Sequence, residues 1–175
     1  LAERLLRWLD GPVQTVRLAE RSFPAVDEAF LRRRDALRCA EAWEDPLFRD
    51  ARDFAAADGI VIAAPYWDLS FPAALKQYFE QISVLGLTFR YVADDVPQGL
   101  CRARRLYYVS TAGGTVVSDA FDYGYVRALA RGFYGIRETE LFRAEKLDLA
   151  GADAEVILRQ AEAEIDRRMA ALTGS

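Results

Sequence analysis

A short apolar run, residues 60–64, constrains the fold more than any other stretch of the chain. It reads Ile-Val-Ile-Ala-Ala. Because the run is too short for an isolated helix and rich in β-branched residues, it predicts a parallel strand buried on both faces. Pro65 ends the strand, a loop of aromatic and polar residues follows, and Pro72 stands where the first turn of a helix tolerates a missing N–H. The loop is therefore expected at the carboxyl end of the strand, the edge at which open parallel sheets bind ligands.

Further strands and helices alternate along the rest of the chain. Residues 106–110 predict a second buried strand, which runs straight into the sequence Thr-Ala-Gly-Gly, and residues 139–144 predict a third. Apolar residues at helical spacing predict helices over residues 1–9, 26–43, 46–57, 72–85, 120–133 and 152–172. Because no repeat, linker or composition shift interrupts this order, we predict one α/β domain over residues 1–175.

The amino-terminal part predicts an edge strand and a further strand before it. Residues 13–18 alternate apolar and polar side chains, as an edge strand does. A parallel sheet that opens on a helix needs a preceding strand to supply the right-handed crossover. We therefore expect roughly 20 to 30 further amino-terminal residues, with a strand that lies between residues 13–18 and residues 60–64.

Composition excludes several kinds of chemistry. The chain has no histidine, so hydrolase triads and zinc sites lack their usual base and ligand, and any chemistry is expected to come from a cofactor. With a net charge of −4, the chain is not expected to bind nucleic acid or an anionic membrane surface. No apolar run approaches the roughly 20 residues of a membrane helix, and no signal peptide is visible, so the cytoplasm is the expected location. Cys39 and Cys101 lack metal-site spacing and are expected to be ordinary small side chains.

The chain resembles the flavodoxin-like, FMN-dependent NAD(P)H oxidoreductases, a family that includes NADH-azoreductases and NAD(P)H quinone reductases. The motifs that carry the resemblance are residues 64–72 with 75–78, 86–91, 99–100, 110–114, 135–136 and 144–145. The resemblance covers essentially the whole chain. It implies an open parallel sheet of order 2-1-3-4-5 with helices on both faces, in which the first strand and its phosphate-binding loop precede Leu1.

The resemblance assigns the first loop to the flavin ring. The residues that would cup the isoalloxazine are Pro65, Tyr66, Trp67, Asp68 and Leu69. Apolar walls suit the flat ring, and backbone donors toward its nitrogen and oxygen atoms would stabilise the negative charge of reduced flavin. The alternative is that Tyr66 and Trp67 only cap the core.

The resemblance assigns the loop after the second strand to the same cofactor. Its residues are Thr111, Ala112, Gly113 and Gly114. Paired glycines let the backbone approach a ligand, and the Thr111 hydroxyl could reach the pyrimidine edge. Ala112 stands where some azoreductases carry an arginine, so a cationic contact is not expected there. A simple turn is the alternative reading of the two glycines.

Two further aromatics match the family segment that helps to form the acceptor pocket, often across a dimer interface. These are Phe89 and Tyr91, for which packing within a hairpin is an equal alternative. Asp119 and Asp122 are interpreted as residues at the start of a helix, not as a carboxylate pair.

The function that the resemblance implies is two-electron transfer from NADH or NADPH, through flavin N5, to a quinone, azo or nitroaromatic acceptor by a ping-pong mechanism. A homodimer and a small aromatic acceptor are the expected partners, with no metal. The first alternative is an electron carrier or redox-sensing flavin module, against which the long excursion of residues 86–100 argues. The second alternative is a non-enzymatic scaffold without cofactor.

Overall fold

Residues 1–173 are described by a computed structural model, in which five strands form two sheets. The strands are β1 (Gly59–Pro65), β2 (Phe89–Tyr91), β3 (Pro97–Gly99), β4 (Arg105–Thr111) and β5 (Glu138–Ala144). The main sheet is parallel and has the order β1-β4-β5, while β2 and β3 form an antiparallel hairpin. The three predicted parallel strands are confirmed.

Six helices accompany the strands. They are α1 (Ala2–Leu6), α2 (Glu28–Cys39), α3 (Arg49–Ala56), α4 (Ala73–Ile82), α5 (Tyr123–Leu129) and α6 (Ala154–Thr173). A π-helical turn, Ala130–Tyr134, extends α5, and Gly135 follows it with φ of 78°, a left-handed conformation that glycine adopts without cost. The helix predicted over residues 72–85 is shorter than expected. It ends at Ile82, and Gly86 lies in the turn beyond.

Helices cover both faces of the main sheet. On one face, side chains such as Ile62 and Tyr108 pack against α3, α4 and α5. On the other face, Val109 and Phe142 pack against Leu5 of α1 and against α6. A parallel sheet buried between two helical layers defines an α/β fold.

The expectation that β1 is buried on both faces is wrong for part of the strand. Ile60, Ile62 and Ala64 are buried, whereas Ala63 on the opposite face is exposed. The reason is that the apolar contacts of α1 and α6 are mainly with β4 and β5, and of β1 they include only Val61.

The predicted edge strand over residues 13–18 does not form. These residues have no regular structure until a 3₁₀ turn, Leu18–Glu20, and Val13 is 55% exposed. Alternation of side chains describes a strand only where a neighbouring strand supplies hydrogen bonds, and within residues 1–173 none lies beside this segment. Its side-chain contact is instead to α3, where the Gln14 amide donates to Asp53 over 2.8 Å.

The β2–β3 hairpin is fastened to the amino end of the main sheet. Gly99 of β3 lies against Gly135, and a Cβ atom at Gly99 would stand 2.0 Å from the Gly135 nitrogen. The Cys101 amide donates to the Tyr134 carbonyl over 3.3 Å, and the rings of Phe89 and Phe133 are 4.8 Å apart. Since Gly135 directly precedes β5, the hairpin lies at the end of the sheet opposite to the loops that follow β1 and β4.

Helix α2 lies at the periphery, and none of its side chains is buried. Cys39, its last residue, is exposed. Cys101 is half-buried, its thiol faces the Thr88 carbonyl, and burial raises the pKa of that thiol to about 12. Among residues 1–173, no helix is both long enough and apolar enough to cross a lipid bilayer.

Thr88 and Ser110 provide a matched test of buried hydroxyl groups. The buried Thr88 hydroxyl donates to the Ile82 carbonyl and accepts from the Val84 amide, whereas the buried Ser110 hydroxyl has no hydrogen-bond partner among residues 1–173. We expect Thr88→Val to lower the free energy of unfolding by about 1–3 kcal/mol and Ser110→Ala to change it by less than about 0.5 kcal/mol. Urea denaturation of both variants measures the difference, and equal effects would contradict the assigned hydrogen bonds.

The backbone contact at Gly99 makes a second prediction. Gly99→Ala places a methyl group against backbone that cannot move aside, so we expect a loss of about 3 kcal/mol or more in the free energy of unfolding. Gly132→Ala is the control, because its added Cβ would meet no atom within 4 Å. Thermal or urea unfolding compares the two, and a tolerated alanine at position 99 would refute the close docking of the hairpin.

Candidate functional site

Two loops meet at the carboxyl edge of the main sheet. Because β1 and β4 pair in parallel with Pro65 opposite Thr111, the loops that follow them begin at the same level. The Tyr66 amide donates to the Thr111 carbonyl over 2.8 Å, which extends the pairing into the loops. We call residues 66–70 the first loop and residues 112–114 the second loop. The predicted cofactor residues of the two loops are thus brought together.

The first loop is a tight two-residue turn. Trp67 and Ser70 exchange two backbone hydrogen bonds of 2.8 Å, and the central residues Asp68 and Leu69 have φ of 49° and 70°. Positive φ at both central positions is the requirement of a type I′ turn, which prefers Asn-Gly. The backbone of Leu69 is therefore strained, because a side chain with a Cβ atom disfavours positive φ.

The second loop is held through its carbonyl groups. The carbonyls of Ala112, Gly113 and Gly114 accept from the amides of residues 146–148 over 2.9–3.2 Å. The Gly113 backbone also lies against the Asp148 carboxylate, which is 2.1 Å from where a Cβ would stand. The second loop therefore has a fixed backbone, although it belongs to no helix or strand.

Five backbone N–H groups on these loops are left unused. Within residues 1–173, no hydrogen bond is made by the amides of Asp68, Leu69, Gly113, Gly114 or Thr115. Unpaired donors on two fixed loops at one edge of the sheet are what an electron-rich ligand requires.

Exposed apolar side chains lie on the first loop and on the segment that follows the second loop. Trp67 is 60% exposed, and Leu69, Val117 and Phe121 are also exposed. Val117 and Phe121 lie on residues 115–122, the segment between the second loop and α5, which we call the connector. The Ser70 hydroxyl donates to the Phe121 carbonyl over 2.5 Å, so the connector borders the first loop. Trp67 does not cap the core, because it is largely open to solvent, whereas Tyr66 is partly buried.

A charged cluster joins the end of β5 to the connector. Arg143 of β5 contacts Asp119 over 2.6 Å and Asp122 over 2.8 Å, and its guanidinium is 6.0 Å from the ring centre of Tyr66. Asp122 also accepts a hydrogen bond from the Tyr108 hydroxyl. Asp122 is fully buried, and the Arg143 side chain is only 9% exposed.

Burial perturbs the ionisable groups of this cluster. It raises the pKa of the Tyr108 hydroxyl, which therefore keeps its proton and donates to Asp122. Burial also raises the pKa of Asp122, and the hydrogen bonds from Tyr108 and Arg143 oppose that rise. The interpretation of Asp122 as a helix-start residue is incomplete: it occupies the N-cap position of α5, but its side chain makes no capping hydrogen bond.

Phe89 and Tyr91 do not join the two loops within one chain. Both lie on the hairpin, at the amino end of the sheet. Phe89 is buried against Phe133, which agrees with the hairpin-packing alternative, while Tyr91 is 50% exposed. A role of Tyr91 at the site therefore requires a second copy of the chain.

Sequence reasoning missed Arg143, Tyr108 and Ser110. The cross-strand register places Ser110 opposite Arg143, under the amino end of α5. One signal was available, because Arg143 is a charged residue between the two apolar-strand positions Phe142 and Ala144, both of which are buried. Its partners, however, depend on a register that the sequence does not state.

Comparison with known proteins agrees with the geometry. A family model described as a flavodoxin-like fold matches residues 2–169. The chain therefore belongs to this flavodoxin-like family.

Curated proteins are similar to this chain in sequence. An FMN-dependent NADH:quinone oxidoreductase of Clostridium beijerinckii is 37% identical over 123 residues, which cover 69% of this chain and 61% of the relative. FMN-dependent NADH:quinone oxidoreductase 2 of Clostridium acetobutylicum is 40% identical over 124 residues, covering 68% and 61%. The chain thus spans about three-fifths of the length of these relatives.

A solved structure shares the fold. The FMN-dependent NADH-azoreductase of Bacillus anthracis, solved in complex with FMN, superposes with a TM-score of 0.77 at 20% identity. The superposition covers 97% of this chain and 86% of that one.

The strained turn of the first loop makes a testable prediction. Replacing Asp68 by Asn together with Leu69 by Gly supplies the pair that type I′ turns prefer, so we expect the free energy of unfolding to rise by about 1 kcal/mol. Leu69→Val, which puts a β-branched residue at positive φ, is expected to lower it by a similar amount. Urea denaturation gives both values, and the reverse order of stability would contradict the assigned turn.

Proposed function

We propose that this chain is the flavin-binding part of an FMN-dependent oxidoreductase that passes two electrons from NADH or NADPH to a quinone, azo or nitroaromatic acceptor. The observation that carries the proposal is the set of five unpaired backbone N–H groups on two adjacent fixed loops. The curated relatives, named as FMN-dependent NADH:quinone oxidoreductases, support the same activity. A ping-pong order, in which the two substrates use one open face in turn, is part of the proposal.

The residues present fit an isoalloxazine ring. Its pyrimidine edge carries two carbonyl oxygens and one ring nitrogen that accept hydrogen bonds beside a single N–H donor, and the free amides of Asp68, Leu69 and residues 113–115 supply donors to the acceptors. Tyr66 and Trp67 offer aromatic surface for a flat ring. When bound, FMN supplies hydride chemistry at N5.

The protein's own contribution is orientation and electrostatics. Fixed N–H donors favour negative charge at the edge that they face, and they need no reorganisation to do so because both loops are already held. The exposed side chains of Trp67 and Leu69 would shield a bound ring from water. The Thr111 hydroxyl, at the end of β4 beside the second loop, is proposed to contact the ligand.

The phosphate of FMN needs a site that none of these residues supplies. We propose that it is bound by a loop after a strand that precedes α1, as the resemblance implies. The open edge of β1 supports such a strand, since β1 pairs only with β4 within residues 1–173. In the same proposal, the protein is a cytoplasmic homodimer in which Tyr91 reaches the acceptor pocket of the other copy.

Two other functions give different results in simple assays. An electron carrier or redox-sensing module would bind flavin without turning over NADH and a quinone. A scaffold would bind no flavin. The exposed apolar side chains of Trp67, Leu69, Val117 and Phe121 favour the enzyme, because a carrier does not need an apolar enclosure for a second flat molecule.

The first experiment is an absorbance spectrum of the protein as its gene encodes it, after incubation with FMN and removal of free flavin. We expect retained flavin bands that bleach on addition of NADH and recover on addition of a quinone. Retained flavin that NADH does not bleach would favour the carrier, and absence of retained flavin would favour the scaffold.

A double variant tests the first loop directly. We expect Trp67→Ala with Asp68→Ala to weaken FMN binding tenfold or more, which corresponds to about 1.4 kcal/mol. Leu31→Ala with Asp35→Ala on α2 removes a comparable exposed pair and is the control. Fluorescence titration of FMN measures the affinities. An unchanged FMN affinity in the Trp67 and Asp68 double variant would contradict the assignment of the first loop to the flavin.

A further inference from the structure

The connector, residues 115–122, has no helix or strand to fix it, yet it forms one wall of the candidate site. It carries the exposed Val117 and Phe121, and it touches the first loop at two points. The Tyr66 hydroxyl donates to the Ser118 carbonyl over 3.4 Å, and the Ser70 hydroxyl donates to the Phe121 carbonyl. Whatever holds the connector therefore sets the distance between this wall and the first loop.

The end of β5 holds the connector at three places. Arg143 contacts the carboxylates of Asp119 and Asp122, while the Glu145 carboxylate accepts from the Val116 amide over 3.0 Å. Arg143 and Glu145 are themselves 3.8 Å apart. One strand end thus binds the beginning, the middle and the end of the connector.

Burial of this cluster is costly, which argues that it does more than add stability. A buried ion pair loses the hydration of both charges, and apolar replacements of such pairs are often neutral or stabilising. Here Asp122 is fully buried, and in the described part of the chain neither the Arg143 Nε atom nor the hydroxyl of Ser110, its neighbour across the strands, has a hydrogen-bond partner. What the arrangement does supply is direction, since a planar guanidinium binds two carboxylates at fixed angles.

We propose that Arg143 is the positioning residue of the site: it fixes the connector against the first loop and so sets where this wall of the candidate site stands. Its guanidinium also faces the Tyr66 ring, which places one cation at the junction of the first loop and the connector. Arg143 acts through these neighbours and does not itself contact the reacting groups. The proposal rests on the proposed function for its consequence, but the positioning itself can be measured without any cofactor.

The test compares three variants with one control, all in the protein as its gene encodes it. Arg143→Gln removes the ion pairs with Asp119, Asp122 and Glu145. Arg143→Lys keeps the charge but loses the fork that spans two carboxylates, and Asp119→Asn removes only the most exposed of the three partners. Arg168→Gln is the control. Arg168 contacts Glu140 and the Leu141 carbonyl near the same strand, on the face covered by α6 and away from both loops.

The first readout is hydrogen exchange of the protein without flavin. We expect the Val116 amide to exchange at least tenfold faster in Arg143→Gln and Arg143→Lys, with amides of β4 unchanged, and we expect no such change in Arg168→Gln. If Arg143→Gln does not fold, because Asp122 is left buried without its partner, Asp119→Asn gives the same readout with that pair intact. Unchanged exchange at Val116 in the folded variants would overturn the proposal.

The second readout is the kinetics and the visible circular dichroism of the flavin-loaded enzyme. We expect Arg143→Lys to raise KM for a quinone tenfold or more, with kcat reduced less than threefold, and to change the visible circular dichroism of the bound flavin. A connector that loosens while KM and the flavin signal stay at wild-type values would overturn the role of Arg143 in positioning this wall of the candidate site. If wild-type protein binds no flavin, the proposed function fails, whereas the exchange experiment still decides the positioning.

Discussion

The parallel pairing of β1 with β4 is the constraint on which the site depends. Because the two strands are in register from Gly59 and Arg105 to Pro65 and Thr111, they end at the same level. Each chain segment then has to leave the sheet at the same edge, and the two loops become neighbours. A shift of the register by one residue would move the second loop along the edge and turn the side chains of β4 to the opposite face.

Much of this arrangement could be predicted from the sequence, because it follows from local patterns. The apolar run before Pro65, the run before Thr111 and the helical spacing after Pro72 each determine an element and its direction. Together they place the residues of the two loops at a common edge. The unpaired amides that support ligand binding could not be predicted, since they depend on which hydrogen bonds the folded backbone leaves unmade.

Other features could not be predicted because they depend on neighbours. The alternation in residues 13–18 resembles a strand, but a strand exists only with a partner, and the described chain offers none. The contact of Arg143 with Asp122 joins residues that are close only after β4, β5 and α5 have packed. The desolvation cost of this ion pair and the geometry of its hydrogen bonds both depend on the packed state.

The peripheral position of α2 gives this protein a convenient site for chemical labelling. Cys39 ends an exposed helix that buries none of its side chains, while the other cysteine, Cys101, is half-buried with a thiol that stays protonated at neutral pH. A maleimide reagent should therefore modify one thiol selectively, at the exposed end of a peripheral helix. A fluorophore or spin label placed there would test whether two copies assemble while leaving the sheet edge untouched.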